Sequence, residues 1–164
     1  MSKTNSHQFC GTMGERIEQG LIAKNQKEQV IAWALDVVSR MGENVSKRQR
    51  DKFNTACVAF DETTGKLYFG RNGGIDKFGT ELHPAIKEIL PEVNLTDYPT
   101  TWNCAETDAI NNALHGGAKL ENLHIYTIST FPNNFGEEKP SCENCTYMYK
   151  DRIKKNNTGW YKGE

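Results

Sequence analysis

The sequence predicts an α/β fold, a layered sheet with some parallel pairing, and three observations carry that reading. An amphipathic helical pattern comes first. Two short β-rich runs joined by a turn follow it. Beyond residue 100, helical patterns alternate with a strongly apolar strand. Strands that alternate with helices favour a layered sheet with some parallel pairing.

The elements follow in order. Residues 1–23 are rich in Gly, Ser, Asn and Gln and read as a flexible N-terminal arm; residues 24–164 read as a single domain. Over 24–41, Val30, Ala34, Val37, Val38 and Met41 recur at the 3.6-residue period, with Trp33 and Leu35 on the flanks and Gly42 as a stop. "VSKRQRDK" (45–52) reads as a basic connection. "TACVAF" (55–60) and "KLYFG" (66–70), joined by "DETTG", read as a hairpin. Residues 71–102 are mostly irregular, and a stretch of this length in one domain is usually functional. It contains a short helix pattern, "PAIKEIL" (84–90), with Pro84 suited to a first turn. A helix over 104–115 ends at Gly116-Gly117. "LHIYTIST" (123–130) is apolar enough to be a strand buried on both faces. "SCENCTYMYKDRI" (141–153) reads as a second short helix, and the basic, aromatic tail has room for one small strand.

Composition narrows the function. The chain has 164 residues, 25% charged and 37% hydrophobic, with a formal net charge of −1. That balance supplies no global basic field, so any nucleic-acid contact must come from local patches. No apolar run approaches the ~20 residues of a membrane span, and no signal-peptide core is present near Met1, so no membrane partner and a cytoplasmic location are expected. Five cysteines without a secretion signal argue for metal or thiol chemistry over a disulfide framework. Of these, Cys57 alternates with apolar neighbours and reads as packing, and Cys10 reads as a free thiol in the arm.

The other three cysteines stand at helix starts. Cys104 opens one helix; Cys142 and Cys145 open the next, one turn apart. A helix N-terminus favours the thiolate, which is the form that binds zinc. Three protein ligands with one open position is the arrangement of a catalytic zinc site. Glu106, two residues past Cys104, falls on the face shared by Ala109, Ile110 and Ala113, the face a helix buries. A buried carboxylate is costly unless it has work to do. Beside a water acidified by zinc, toward pKa ~7, it has the work of moving a proton.

"NCAE" followed by "PSCENC" resembles the signature of the zinc-dependent cytidine-deaminase superfamily, whose motif is His or Cys, one residue, Glu, and later Pro-Cys-x-x-Cys. "ELHPAIKEILPE", "YPTTWNCAETDAINNALHGGAKLENLHIYTI" and "SCENCTY" extend the resemblance to the YwqJ-like deaminase domains of bacterial polymorphic toxins, over roughly residues 50–150. The resemblance implies a cytidine-deaminase-like three-layer α/β sandwich on a mixed sheet with the zinc site at the N-termini of two helices, Zn2+ as cofactor, Cys104, Cys142 and Cys145 as its ligands, and Glu106 as the proton shuttle. It implies attack of an activated water on C4 of a cytosine, with Glu106 protonating N3 and then the leaving ammonia. Asn72, at the end of the second strand, resembles the Asn with which related enzymes hold the substrate sugar. Ala105 and Ser141 fall at motif positions that border the substrate. In the family a proline directly precedes the first Cys of the pair; here Ser141 stands between Pro140 and Cys142.

Further readings stay open at this level. Asn72 is equally a turn residue in "RNGG", and His83 is either a cap before Pro84 or a pocket-lining group. His115 and His124 read as structural. The tail's Lys and Arg, interleaved with Trp160 and Tyr161, suit nucleic-acid backbone contacts or a solvated surface. Three functions compete: a toxin-type deaminase of cytosine in DNA or RNA, a deaminase of free nucleosides or nucleotides, and a zinc-stabilised binding module. The first comes with the resemblance, as does neutralisation by an immunity protein and delivery into a target cell's cytoplasm at the tip of a larger secreted polypeptide.

Overall fold

The computed structural model describes residues 13–97 and 100–163, with side chains from residue 18 onward. Its centre is a four-stranded mixed sheet, in the order β2-β1-β3-β4. β1 (Thr55–Asp61) and β2 (Leu67–Arg71) form the expected antiparallel hairpin, with Val58 opposite Phe69. The turn between them is tied by Asp61, whose carboxylate accepts from Thr63 N at 3.0 Å and Thr63 Oγ1 at 2.7 Å, while Gly65 takes the positive φ of 77°. β3 (Leu123–Ser129) runs antiparallel to β1, with Cys57 opposite Thr127, and every one of its residues is buried, as the apolar run predicts. The short β4 (Lys155–Asn156) pairs with β3 in parallel.

Helices cover both faces. On one side lies α1 (Met13–Met41), whose Val30 and Ala34 are fully buried against Ala56, Val58, Tyr126 and Ile128. Trp33 stacks on Phe69 with ring centroids 5.5 Å apart. Gln26 Nε2 donates to the backbone oxygen of His124 at 2.9 Å and pins α1 to the sheet. On the other side lie α5 (Ala105–His115) and α6 (Glu143–Tyr149), packed on Cys57, Ala59, Leu123 and Ile125. The period-2 alternation of the strands sends each successive side chain to the opposite layer.

Three elements depart from the sequence reading. α1 starts at Met13, not at residue 24, so the helix takes in half of the segment read as an arm; Cys10 lies outside the described residues. The basic connection is a helix, α2 (Lys47–Lys52), capped by Ser46 Oγ, which accepts from Gln49 N at 3.1 Å. Residues 71–102 carry α3 (Gly74–Phe78) besides the expected α4 (Pro84–Lys87). No helix among the described residues is long and apolar enough to cross a membrane.

One close approach sets the position of the site. α5 crosses β2 at Gly70, where a Cβ would lie 2.2 Å from Ala109 N and 2.7 Å from Ala105 O. Only a residue without a side chain lets the helix lie that near the sheet. The N-terminus of α5 is thereby fixed beside the end of β2.

Candidate active site

α5 and α6 present their N-termini to the same point. Cys104 and Cys142 are the N-cap residues, both in extended backbone conformation, and neither side chain caps its own helix. Their thiols are therefore free for other work. With Cys145, one turn into α6, they bring three Sγ atoms within 4.8 Å of one another. Tetrahedral zinc with Zn–S bonds of about 2.3 Å needs sulfurs about 3.8 Å apart, so the donor set and spacing fit zinc with slight closure. Among the described residues the cluster contains three ligand groups.

The thiols share charge unequally. Hydrogen bonds from Cys104 and Cys145, aided by the backbone N–H groups of Cys145 and Asn144, hold the Cys142 thiol well below its ordinary pKa against the opposing effect of burial. Those same contacts with Cys142 push Cys104 up, and the contacts with both partners, then burial, push Cys145 up. Beneath them, Thr107 Oγ1 lies 3.5 Å from Cys104 Sγ, 3.9 Å from Cys145 Sγ and 2.9 Å from the Tyr149 hydroxyl.

Glu106 is 3% exposed and faces this cluster. Its Oε2 accepts from Thr127 Oγ1 at 3.2 Å and Ser141 Oγ at 3.1 Å, while Oε1 lies 4.0 Å from Cys145 Sγ. The two oxygens are therefore different: one is anchored, the other is turned to the sulfurs. Burial, then the nearby Cys142 charge, raises the Glu106 pKa above the ordinary 4.5, and the two hydroxyls hold it down only in part. A carboxylate with a raised pKa is suited to take and return a proton near neutral pH.

A cleft of about 360 Å³ opens over Cys104, Cys142 and Glu106, a size suited to a small ligand. Its walls include Asn54, Thr55, Asn72, Asn103, Lys139 and Pro140. Ala105 lines it through α5's first turn. Asn72 lines it too, but its amide is occupied: Oδ1 accepts from Asn54 N and Thr55 N, and Nδ2 donates to Lys52 O at 2.6 Å. Ser141 is 2% exposed and stands behind Glu106, outside the lining. His83 is not brought to the cleft; it is the N-cap of α4, with Nδ1 accepting from Ala85 N at 3.0 Å.

This geometry coincides with a family. The model of the YwqJ-like deaminases matches residues 39–152, more than half of the chain and inclusive of all three cysteines and Glu106. The chain belongs to the YwqJ-like deaminase family. No curated protein and no solved structure matches it. Four further groups that stand at the thiol cluster, Glu106 or the cleft were not singled out in the sequence: Thr127, Thr107, Asn54 and Lys139. Thr127 had a signal, since its alternation with Ile125 places it on the same side of β3 as α5 and α6. Lys139, whose Nζ donates to Thr55 Oγ1 at 2.5 Å, had none.

Proposed function

We propose that this deaminase hydrolyses the exocyclic amine of cytosine in a nucleic acid, giving uracil and ammonia, as a bacterial toxin-type enzyme acting in the cytoplasm of a target cell. The reading is carried by one observation: a buried carboxylate with one anchored oxygen and one oxygen turned toward a three-thiol cluster at the floor of a cleft. Cys104, Cys142 and Cys145 would hold zinc, which would supply a Lewis acid able to acidify water there.

The protein's own groups supply the remainder. Oε1 of Glu106 takes the proton of the attacking water and hands it to N3 of the base; a second transfer serves the departing amine. Thr127 and Ser141 keep Oε2 fixed, so the carboxylate moves protons without swinging. The Pro140 side of the cleft and the first turn of α5 confine the base over the sulfurs. The target base must be unstacked to enter, because a duplex hides its C4 edge.

The test is a deamination panel. Zinc-loaded protein is incubated with cytidine, deoxycytidine monophosphate, single- and double-stranded DNA, and RNA, beside Glu106→Ala. The expected result is C-to-U conversion in a polymer, abolished by the substitution. Conversion of monomers alone would move the enzyme to nucleotide chemistry, and zinc binding without any conversion would overturn the cytosine reading.

A further inference from the structure

We propose that a groove leaving one end of the cleft is a phosphate track, which holds the nucleic-acid strand on one side of the target base through Lys52 and Lys77. This rests on the nucleic-acid reading above and assigns residues to it.

A depression of about 870 Å³ adjoins the cleft and shares Asn72, Gly73 and Asn103 with it, so the two are continuous. Its lining includes Lys52, Arg71 and Lys77 and no carboxylate. Arg71 is committed elsewhere: its guanidinium lies 4.8 Å from the Phe53 ring centre, and Nε donates to Asn72 O. Lys52 and Lys77 are both exposed, and neither enters an ion pair among the described residues. The Asn72 amide, by bonding Lys52 O and the start of β1, fixes the end of α2 against the cleft wall. Phe78, next to Lys77, is 67% exposed, with Lys77 Nζ 5.9 Å from its ring centre. An ammonium beside an open aromatic face matches the backbone-and-base alternation of a single strand. Asp76, the carboxylate at the junction, is turned to Asn103 Nδ2 at 3.1 Å.

A second depression beside the cleft differs. It has a volume of about 340 Å³, shares Asn54 and Lys139 with the cleft and is lined by one cation, Lys139, and one carboxylate, Glu138. Lys139 is already bonded to Thr55. Phosphates gain along the first depression and not along the second. The basic tail, which the sequence also offered as a contact, contributes nothing to the lining of the cleft or the track.

The test is binding of fluorescein-labelled single-stranded DNA and RNA 15-mers, followed by anisotropy across a salt series. Parent, K52Q/K77Q and the tail variant K150Q/K162Q are compared, with the target cytosine at the 5′ end, centre or 3′ end. Thermal melting checks that each variant is folded. Each phosphate contact on a single strand contributes about 0.7 to the slope of log affinity against log salt, so K52Q/K77Q is expected to lower that slope by about 1.4. The tail variant is expected to match the parent. Conversion is expected to survive with the cytosine at one terminus and fall at the other. An unchanged slope in K52Q/K77Q, or a loss that follows the tail variant, would overturn the track while leaving the nucleic-acid reading intact. Loss of affinity for an acidic protein, with oligonucleotide binding unchanged, would make the patch a protein interface and also overturn it. A parent that binds no oligonucleotide yet converts free cytidine would overturn the nucleic-acid reading, and the track with it.

Discussion

The two faces of the sheet bury different mixtures of side chains. The α1 face is filled by Trp33, Phe53, Phe69, Tyr126 and Ile128, large side chains in aromatic and aliphatic contact. The α5 face also buries large apolar groups, Ile110, Leu123, Ile125, Met148 and Tyr149, but it adds the small Ala105, Ala109, Ala113 and Cys57 and buries Glu106, Thr107, Asp108, Asn111 and Thr127 among them. Small residues there let α5 lie against the strands, and the close approach leaves room at its end for a cleft. The buried polar groups are expensive in isolation, yet each described one has a hydrogen-bond partner. One face is therefore mainly apolar packing, while the other combines apolar packing with the buried polar groups of the candidate site.

That division predicts effects that separate cleanly. The largest belongs to Glu106→Gln: kcat should fall about 10²- to 10⁴-fold, while the melting temperature holds or rises because a buried charge is gone. A melting temperature that drops with activity would merge the two faces. Next, Ile128→Ala on the α1 face should cost about 2–5 kcal/mol in urea unfolding, with activity per folded molecule unchanged. Loss of activity at full folding would deny the separation. Smaller again, Thr127→Val and Ser141→Ala each remove a hydroxyl from the same carboxylate oxygen. A hydrogen bond to a charged group is worth about 1.5–3 kcal/mol, so each should lower kcat about 10- to 100-fold with KM held, and the pair should be less than additive. A purely KM effect would place these hydroxyls on the substrate instead.

The smallest effect is a pH dependence. Burial lowers the pKa of His124 below its ordinary 6.5, outweighing the pull of Glu62, whose Oε1 lies 2.9 Å from Nε2. Below pH 6.5 the unfolded chain takes up a proton that the folded one refuses. Stability should therefore decline as pH falls from about 6.5 through the lowered folded value, by at most about 1.4 kcal/mol per unit. His124→Gln should flatten that slope; an equal slope in the variant would assign it to other groups.

The sequence displays its site because the site is local. Cys104 and Glu106 lie within one turn, as do Cys142 and Cys145, and helix periodicity converts that spacing into direction. Hairpin, buried strand and α1 core were legible for the same reason. What escaped depends on long-range placement. Ser141 reaches Glu106 across 35 positions and Lys139 reaches Thr55 across 84, distances at which no pattern speaks. α2 carries no apolar period, since it buries none of its residues, so its basic run looked like a connection. His83 and Asn72 sit in motif-like surroundings, but the backbone claims their polar atoms first.

The segment just after β4 has a consequence of its own. Asn156 Nδ2 donates to Ser141 Oγ at 3.0 Å, Gly159 O accepts from Ser141 N, and Thr158 Oγ1 accepts from Thr127 N at 3.2 Å. Both hydroxyl residues that bond Glu106 are thus gripped by the stretch 156–159. The orientation of Glu106 therefore depends on a segment that lines neither the cleft nor the thiol cluster, so a change at 156–159 would disturb the carboxylate's hydroxyl partners while leaving the three sulfurs where they are.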